Sequence, residues 1–254
     1  MIESIIRRMA LRVYLSPHLD DAVFSCGGLI ARQSSGGDDV QVVTVFAGDP
    51  PVGELTPFAY ELHRRWAGEG SPMGLRRAED LVACGRLGAS VVHLGFAEAI
   101  YRRAASGEAL HPNAESLFGL PSPEEEAQVE AIAEALERNV AREAEVYLPL
   151  GIGSHVDHLL ARRAGEGAAR TSWYYREVPY ALRDAPLVVE PPPSGVSEAL
   201  VTLAEAEIEM WAIGASEYHS QVSSFWPNVE SLDADLRSYH DRFGGLPLLR
   251  RASN

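Results

Sequence analysis

Two short stretches of this chain combine residue types able to do chemistry together. One is Ser16-Pro17-His18-Leu19-Asp20-Asp21, which sets an imidazole and two carboxylates beside a proline. The other is His155-Val156-Asp157-His158, far downstream. Imidazole and carboxylate donors without thiolates suit zinc, and three protein ligands leave a coordination position for water. His18 and Asp21 are three apart at a helix start, so both can point the same way. His155 and His158 share that spacing, and one of the two can complete a triad with His18 and Asp21. Asp20 and the remaining histidine then stand beside the open position as a base and an acid. That is the equipment for hydrolysing an amide or an ester.

The elements around these stretches account for their placement. Residues 11–15, 40–46, 90–96 and 145–150 read as strands, β-branched and nearly continuous in apolar character, as in a parallel sheet covered on both faces. Ser172–Tyr175 and residues 187–189 are weaker candidates. Helices are expected over 76–87, 123–143 and 197–215. The second has Ser122 as N-cap, Pro123 at the first position and Glu125 three residues after the cap. Alternating strands and helices give a doubly wound α/β sheet in one domain over 1–254. In such sheets ligands bind beyond the carboxyl ends of strands, where strand order reverses. If the order is the usual 3-2-1-4, the two clusters follow neighbouring strands and face each other. Residues 48–74 and 97–120 fit no element, and long irregular stretches of this kind are usually functional loops or disorder. They follow the second and third strands, so they emerge on the rim of the site. Their aromatic residues, Phe58, Tyr60, Trp66, Tyr101 and Phe118, suit sugar rings or flat aglycones.

Composition excludes several classes. The 254 residues carry 22 Lys and Arg against 36 Asp and Glu, a net charge of −14. No basic stripe suits a nucleic acid. No segment approaches the ~20 apolar residues of a membrane span, and the N-terminal stretch lacks the apolar run and cleavage site of a secretory signal. Cys26 and Cys84 form no paired motif, which points to a reducing, cytoplasmic setting. Gly27-Gly28 after a strand raises a dinucleotide site, but the G-x-G-x-x-G spacing is absent and two carboxylates would repel a pyrophosphate. His93, His111, His219 and His240 read as structural, and Cys26 as a small core residue.

SPHLDDAVFSCGG resembles the His-Pro-Asp-Asp-Glu motif of the PIG-L/LmbE-like zinc N-deacetylases, and HVDH resembles their second motif. The resemblance spans roughly residues 11–180. It implies a Rossmann-like fold, a Zn²⁺ cofactor and removal of an N-acetyl group from an amino-sugar conjugate such as an N-acetylglucosaminyl compound. It implies His18, Asp21 and His158 as zinc ligands and Asp20 as general base. His155 would face the oxyanion or protonate the leaving amine, and Asp157 would orient a histidine. Arg77 and Glu79 resemble an Arg-x-Glu element whose arginine contacts substrate, and Tyr218-His219-Ser220-Gln221 resembles a Tyr-x-Ser-Gln element. Leu19 stands where relatives have proline, and Ala22 where they have glutamate. The competing readings are a zinc amidase on a non-sugar amide and a metal phosphoesterase, which usually takes two bridged metals. Homo-oligomerisation stays open.

Overall fold

The computed structural model describes residues 9–67, 71–168, 172–183 and 187–251. Residues 1–8, within the N-terminal stretch read above for a signal, lie outside the described residues, as do residues 68–70 of the 48–74 stretch. The centre is a seven-stranded sheet in the order β3-β2-β1-β4-β5-β7-β6. Its parallel part is β1 (Leu11–Ser16), β2 (Asp39–Thr44), β3 (Ser90–His93), β4 (Glu145–Pro149) and β5 (Ser172–Tyr175). The expected 3-2-1-4 order is therefore present, with Arg12, Val13 and Tyr14 of β1 paired to Glu145, Val146 and Tyr147 of β4. Val13, Tyr14 and Leu15 of β1, Val40, Val42 and Val43 of β2, Val146, Tyr147 and Leu148 of β4 and Tyr174 and Tyr175 of β5 are buried, as central strands covered on both faces require, while Val91 and Val92 of the edge strand β3 are half-buried.

Helices cover both faces. They are α1 (Asp21–Ser35), α2 (Pro57–Ala67), α3 (Pro72–Arg86), α4 (Pro123–Asn139), α5 (Val156–Ala168), α6 (Glu205–Ser216), α7 (His219–Phe225) and α8 (Val229–Phe243). The expected cap of α4 is built: the Ser122 N–H donates to Glu125 Oε2 at 2.9 Å. Gly27 and Gly28 answer a packing need. A Cβ on Gly27 would lie 2.5 Å from Trp211 Cδ1, and one on Gly28 2.5 Å from Leu203 Cδ1. The missing side chains let α6 lie directly against α1, where the Trp211 indole N–H donates to Val23 O at 2.8 Å.

Three sequence expectations need correction. The helix over 197–215 begins only at Glu205; its first part is β6 (Val196–Val201), an edge strand paired antiparallel with β7 (Leu246–Arg251). Helix-favouring residues there are overridden by a partner strand from the far end of the chain, which no local window contains. Residues 187–189 form no strand, and the antiparallel corner is made by β7 and β6. The 48–74 stretch is not structureless: α2 and the start of α3 lie within it. Thr56 Oγ1 caps α2 by accepting the Ala59 N–H, and Phe58, Leu62 and Trp66 pack on a small cluster containing Leu19, Ala59, Met73 and Tyr101. Helical spacing of those apolar residues was the readable signal. The 97–120 stretch is irregular apart from 3-10 turns at Ala99–Tyr101 and Glu115–Leu117, as expected.

Candidate active site

The chain leaves β1 at Ser16 and turns into α1 at Asp21. Ser16 Oγ fastens this turn by donating to His18 O at 2.6 Å and accepting the Ala22 N–H at 3.0 Å. Asp21 Oδ2 accepts the His18 backbone N–H at 2.8 Å and lies 3.0 Å from His18 Nδ1. Asp20 occupies the N-cap position of α1, yet its side chain makes no cap bond. Its carboxyl is buried but lines the cavity instead. Leu19 is fully buried in the small cluster under α2, so an apolar residue suits this position.

The second turn follows β4. Gly153 has φ 88°, and a Cβ there would enter the Tyr180 ring at 2.5 Å; only glycine allows this close approach. Ser154, also at positive φ (57°), is held by donating to Leu187 O and accepting the Val189 N–H. His155 and the first turn of α5 then enter the site. His158 Nε2 lies 3.3 Å from Asp21 Oδ2, is buried, and has no hydrogen-bond partner. Its other ring nitrogen faces Glu177 Oε1 at 3.2 Å, and Glu177 also accepts the Gly151 and Ile152 N–H groups. His18 Nε2 faces Asp157 Oδ2 at 2.9 Å.

Three donor atoms thus converge: His18 Nδ1, Asp21 Oδ2 and His158 Nε2, a group that could hold a metal ion. Each imidazole has its second nitrogen tied to a carboxylate, the usual support for a metal-ligating histidine. The electrostatics agree. Burial alone would lower the pKa of both rings, but carboxylates outweigh it: Asp157 and Asp21 hold His18 well above its ordinary value, and Asp21 and Glu177 hold His158 up at about 9. A pocket that binds protons this firmly favours positive charge, and a metal ion competes for the same lone pairs.

A second group shares His18 and adds His155 and Asp157. It fits an ion poorly. Asp157 Oδ1 is paired with the Arg102 guanidinium, and Oδ2 already accepts the Ala99 N–H at 2.9 Å. His155 Nδ1 accepts the Asp157 N–H at 3.2 Å, which leaves Nε2 to carry the ring proton. Burial and the neighbouring His18 push the pKa of His155 well below its ordinary value, so the ring is neutral. Asp20 is pushed up to about 7, by burial and by the adjacent Asp21 charge.

His18, Asp20, Asp21, His155 and Asp157 form the floor of a cavity of about 510 Å³, with His158 buried behind them. Its walls come from α2 (Phe58, Leu62, Trp66), the 97–120 stretch (Leu117, Phe118) and Phe225 at the end of α7. Phe118 lies edge-on to His155, ring centroids 5.6 Å apart.

The family model described as PIG-L: GlcNAc-PI de-N-acetylase matches residues 13–169, which include both clusters. The chain belongs to this family. The 2'-N-acetylparomamine deacetylase of Streptomyces fradiae is 34% identical over 186 residues, 70% of this chain and 61% of that protein. Its namesake from Niallia circulans is 30% identical over 190 residues, 66% of each. The chain thus spans just under two thirds of the length of these curated relatives. The solved structure of a deacetylase from the teicoplanin biosynthesis pathway superposes with a TM-score of 0.81 at 25% identity, covering 96% of this chain and all of that one.

Within this PIG-L fold, five of the seven sequence-predicted site residues, His18, Asp21, His155, Asp157 and His158, meet through their ring and carboxylate atoms, and Asp20 lines the same cavity. Arg77 does not join them. Its guanidinium is turned to Ala47 O at 2.8 Å and Asp49 at 2.9 Å, away from the cavity lining. Arg76 takes that place, buried, paired with Glu98 and 4.5 Å over the Trp66 ring. Glu79 accepts the Ser220 N–H and hydroxyl, and Tyr218 donates to Asp80, so the two weaker motifs brace α3 against α7. His93 reaches Asp80, His111 reaches Glu125, and His240 accepts the Leu203 N–H, structural roles as expected; His219 is exposed. Sequence reasoning missed Glu98, Arg102, Glu125 as a side-chain anchor, and Glu177. Glu177 had one signal, a carboxylate just past the fifth strand; Arg102 lay in an irregular stretch with none.

Proposed function

We propose that this chain is a zinc-dependent N-deacetylase that removes an N-acetyl group from an amino-sugar conjugate. The observation that carries this reading is the buried, unpartnered Nε2 of His158, aimed at the carboxylate and imidazole of Asp21 and His18. Two nitrogens and one carboxylate oxygen are a zinc donor set, with a side open to the cavity. Zinc bound there would polarise the amide carbonyl and acidify water.

The chain's own residues do the rest. Asp20 is unbonded at the cap, buried, and poised near neutrality, so it takes the proton of the attacking water. His155 is neutral and donates Nε2–H to the oxygen on which negative charge develops. Of the two roles the resemblance implies for His155, facing the oxyanion is the one a neutral ring with its proton on Nε2 supports. Asp20, now protonated, gives the proton to the leaving nitrogen as the C–N bond breaks. One amide and one water become a protonated amine and acetate. Asp157, bonded to His18 Nε2, fixes which ring nitrogen faces the ligand group. Arg76 and Glu98 present a buried donor and acceptor to sugar hydroxyls, and the aromatic walls take the aglycone. Arg77 remains a candidate for substrate contact only if it leaves Asp49.

Relatives named as deacetylases of acetylparomamine and of the teicoplanin pathway support this class of substrate. The single seven-stranded sheet supports reading 1–254 as one domain. Among the described residues no helix is long and apolar enough to cross a membrane. Cys26 and Cys84 are buried and unpaired, which supports the cytoplasmic reading. The test is acetate release by the purified, zinc-loaded chain from a panel of N-acetylated glycosides and non-sugar amides. Turnover confined to non-sugar amides overturns the sugar reading; no metal-dependent amide hydrolysis at all overturns the enzyme reading.

A further inference from the structure

Beneath the site, a buried chain of charges runs from Asp157 to Arg102 and Glu125, and the last two have no part in the proposed chemistry. Arg102 leaves the 97–120 stretch and lies between two carboxylates. Its Nη1 pairs with Asp157 Oδ1, while Nε and Nη2 reach Glu125 Oε1 at 2.9 and 2.7 Å. Glu125 is itself pinned by three groups: Arg102, the His111 ring at 2.6 Å, and the Ser122 N–H that it caps at the start of α4. Asp157 is fully buried, and Arg102 and Glu125 are nearly so.

Burying a carboxylate next to a cation site has a consequence. Asp157 belongs to the second potential ligand group, with His18 and His155, and that group shares His18 with the first. Left to itself, a buried anion there would compete for the ion, since its oxygens and His18 Nε2 are as close as the first set. The guanidinium removes that competition in two ways. It occupies Oδ1 by a charge-assisted bond, and it sets a fixed positive charge against the spot a second cation would need. Oδ2 is then left to accept from Ala99 N–H and from His18, which keeps the lone pair of His18 on Nδ1. The flat fork of arginine suits this bridge, since it bonds two carboxylates at once in fixed directions.

We infer that Arg102, anchored by Glu125, is a positioning residue that keeps Asp157 out of the metal's coordination and confines the chain to one ion, held by His18, Asp21 and His158. The inference rests on the metal reading above. It touches no substrate and acts through Asp157 and His18.

The test uses the full chain, stripped of metal and titrated with Zn²⁺ and, separately, with Co²⁺ as a spectroscopic probe. The wild type is expected to take one ion per chain. Arg102→Gln is expected either to bind zinc roughly 10–100-fold more weakly, the usual effect of losing such a support, or to take a second equivalent. Its cobalt absorption bands should shift. Arg102→Lys keeps the charge without the fork and should recover part of the affinity. Glu125→Gln should change the same readouts in the same direction, to a smaller extent, and serves if Arg102→Gln does not fold. A folded Arg102→Gln or Glu125→Gln chain with wild-type stoichiometry, affinity and cobalt bands overturns the inference. Failure of the wild type itself to bind either ion overturns the metal reading instead, so the two failures are distinguishable.

Discussion

The floor and the walls of the cavity are built by different physics. On the floor, the side chains that meet between β1 and β4 are buried, His18 partly so, and joined by close polar contacts: His18 to Asp21 and Asp157, His158 to Asp21 and Glu177, Asp157 to Arg102. A polar group there is expensive unless partnered, so these contacts fix the geometry closely, and His158 Nε2 is the one ring nitrogen of the set left without a hydrogen bond. The walls are Phe58, Trp66, Phe118 and Phe225, held by non-directional apolar packing, and Phe118 and Phe225 are exposed by 38% and 43%. A floor of that kind suits chemistry that is intolerant of small displacements. Walls of that kind suit recognition of a large, variable partner. The contrast predicts that floor changes act on turnover and metal, and wall changes on substrate affinity.

The largest expected effect is on the ligand set. His158→Ala should lose the metal and with it all measurable deacetylation, as read by elemental analysis and acetate release. Full zinc occupancy in that variant breaks the assignment of the floor. Next is Asp20→Asn, expected to keep the metal while kcat falls by roughly 10²–10⁴-fold, the usual contribution of a positioned base. Loss of metal in this variant would exchange the roles of Asp20 and Asp21.

The support beneath the floor should show in pH. Burial raises the pKa of Glu125, but His111, the Ser122 N–H and Arg102 outweigh it and hold the folded value at about 2, below the unfolded 4.5. A depressed carboxyl pKa contributes stability that is fully present above the unfolded value and lost as pH falls through the folded one. The urea midpoint should therefore drop between about pH 4.5 and 2, and Glu125→Gln should flatten that part of the profile while lowering the midpoint at pH 7. An unaltered profile would show that Glu125 does not carry the acid response.

The smallest effect belongs to the walls. Phe118→Ala or Trp66→Ala should raise KM for an aglycone-bearing substrate roughly tenfold, about 1.4 kcal/mol, with kcat little changed. Free N-acetylglucosamine, which cannot reach far along those walls, should be a poorer substrate and less sensitive to either change. A wall variant that loses kcat as severely as Asp20→Asn would erase the distinction between floor and wall.

Much of this was legible in the linear chain, for a local reason. Ser16 to Asp21 and His155 to His158 each lie within one turn of the backbone, so their spacing already sets which side chains can converge. The run of apolar β-branched residues before each cluster marks the strand that delivers it. The strand order needed only the general preference of doubly wound sheets, and β1 does neighbour β4. Arg77 and Arg76 show the limit. Adjacent helix positions differ by about 100° in direction, and only the packing of α3 decided that Arg76 enters the cavity while Arg77 turns to Asp49.

What the amino-acid sequence determined by itself was therefore the chemistry: two imidazole and carboxylate clusters, each preset by a strand-to-helix turn. What only the tertiary structure decided was the company they keep. Glu177, Arg102 and Glu125 reach the site from β5's far end, an irregular stretch and a helix cap, and β6 becomes a strand because β7 returns to pair with it. Such contacts join residues distant in the chain, and their energies depend on burial and exact partnering, quantities that no local pattern encodes.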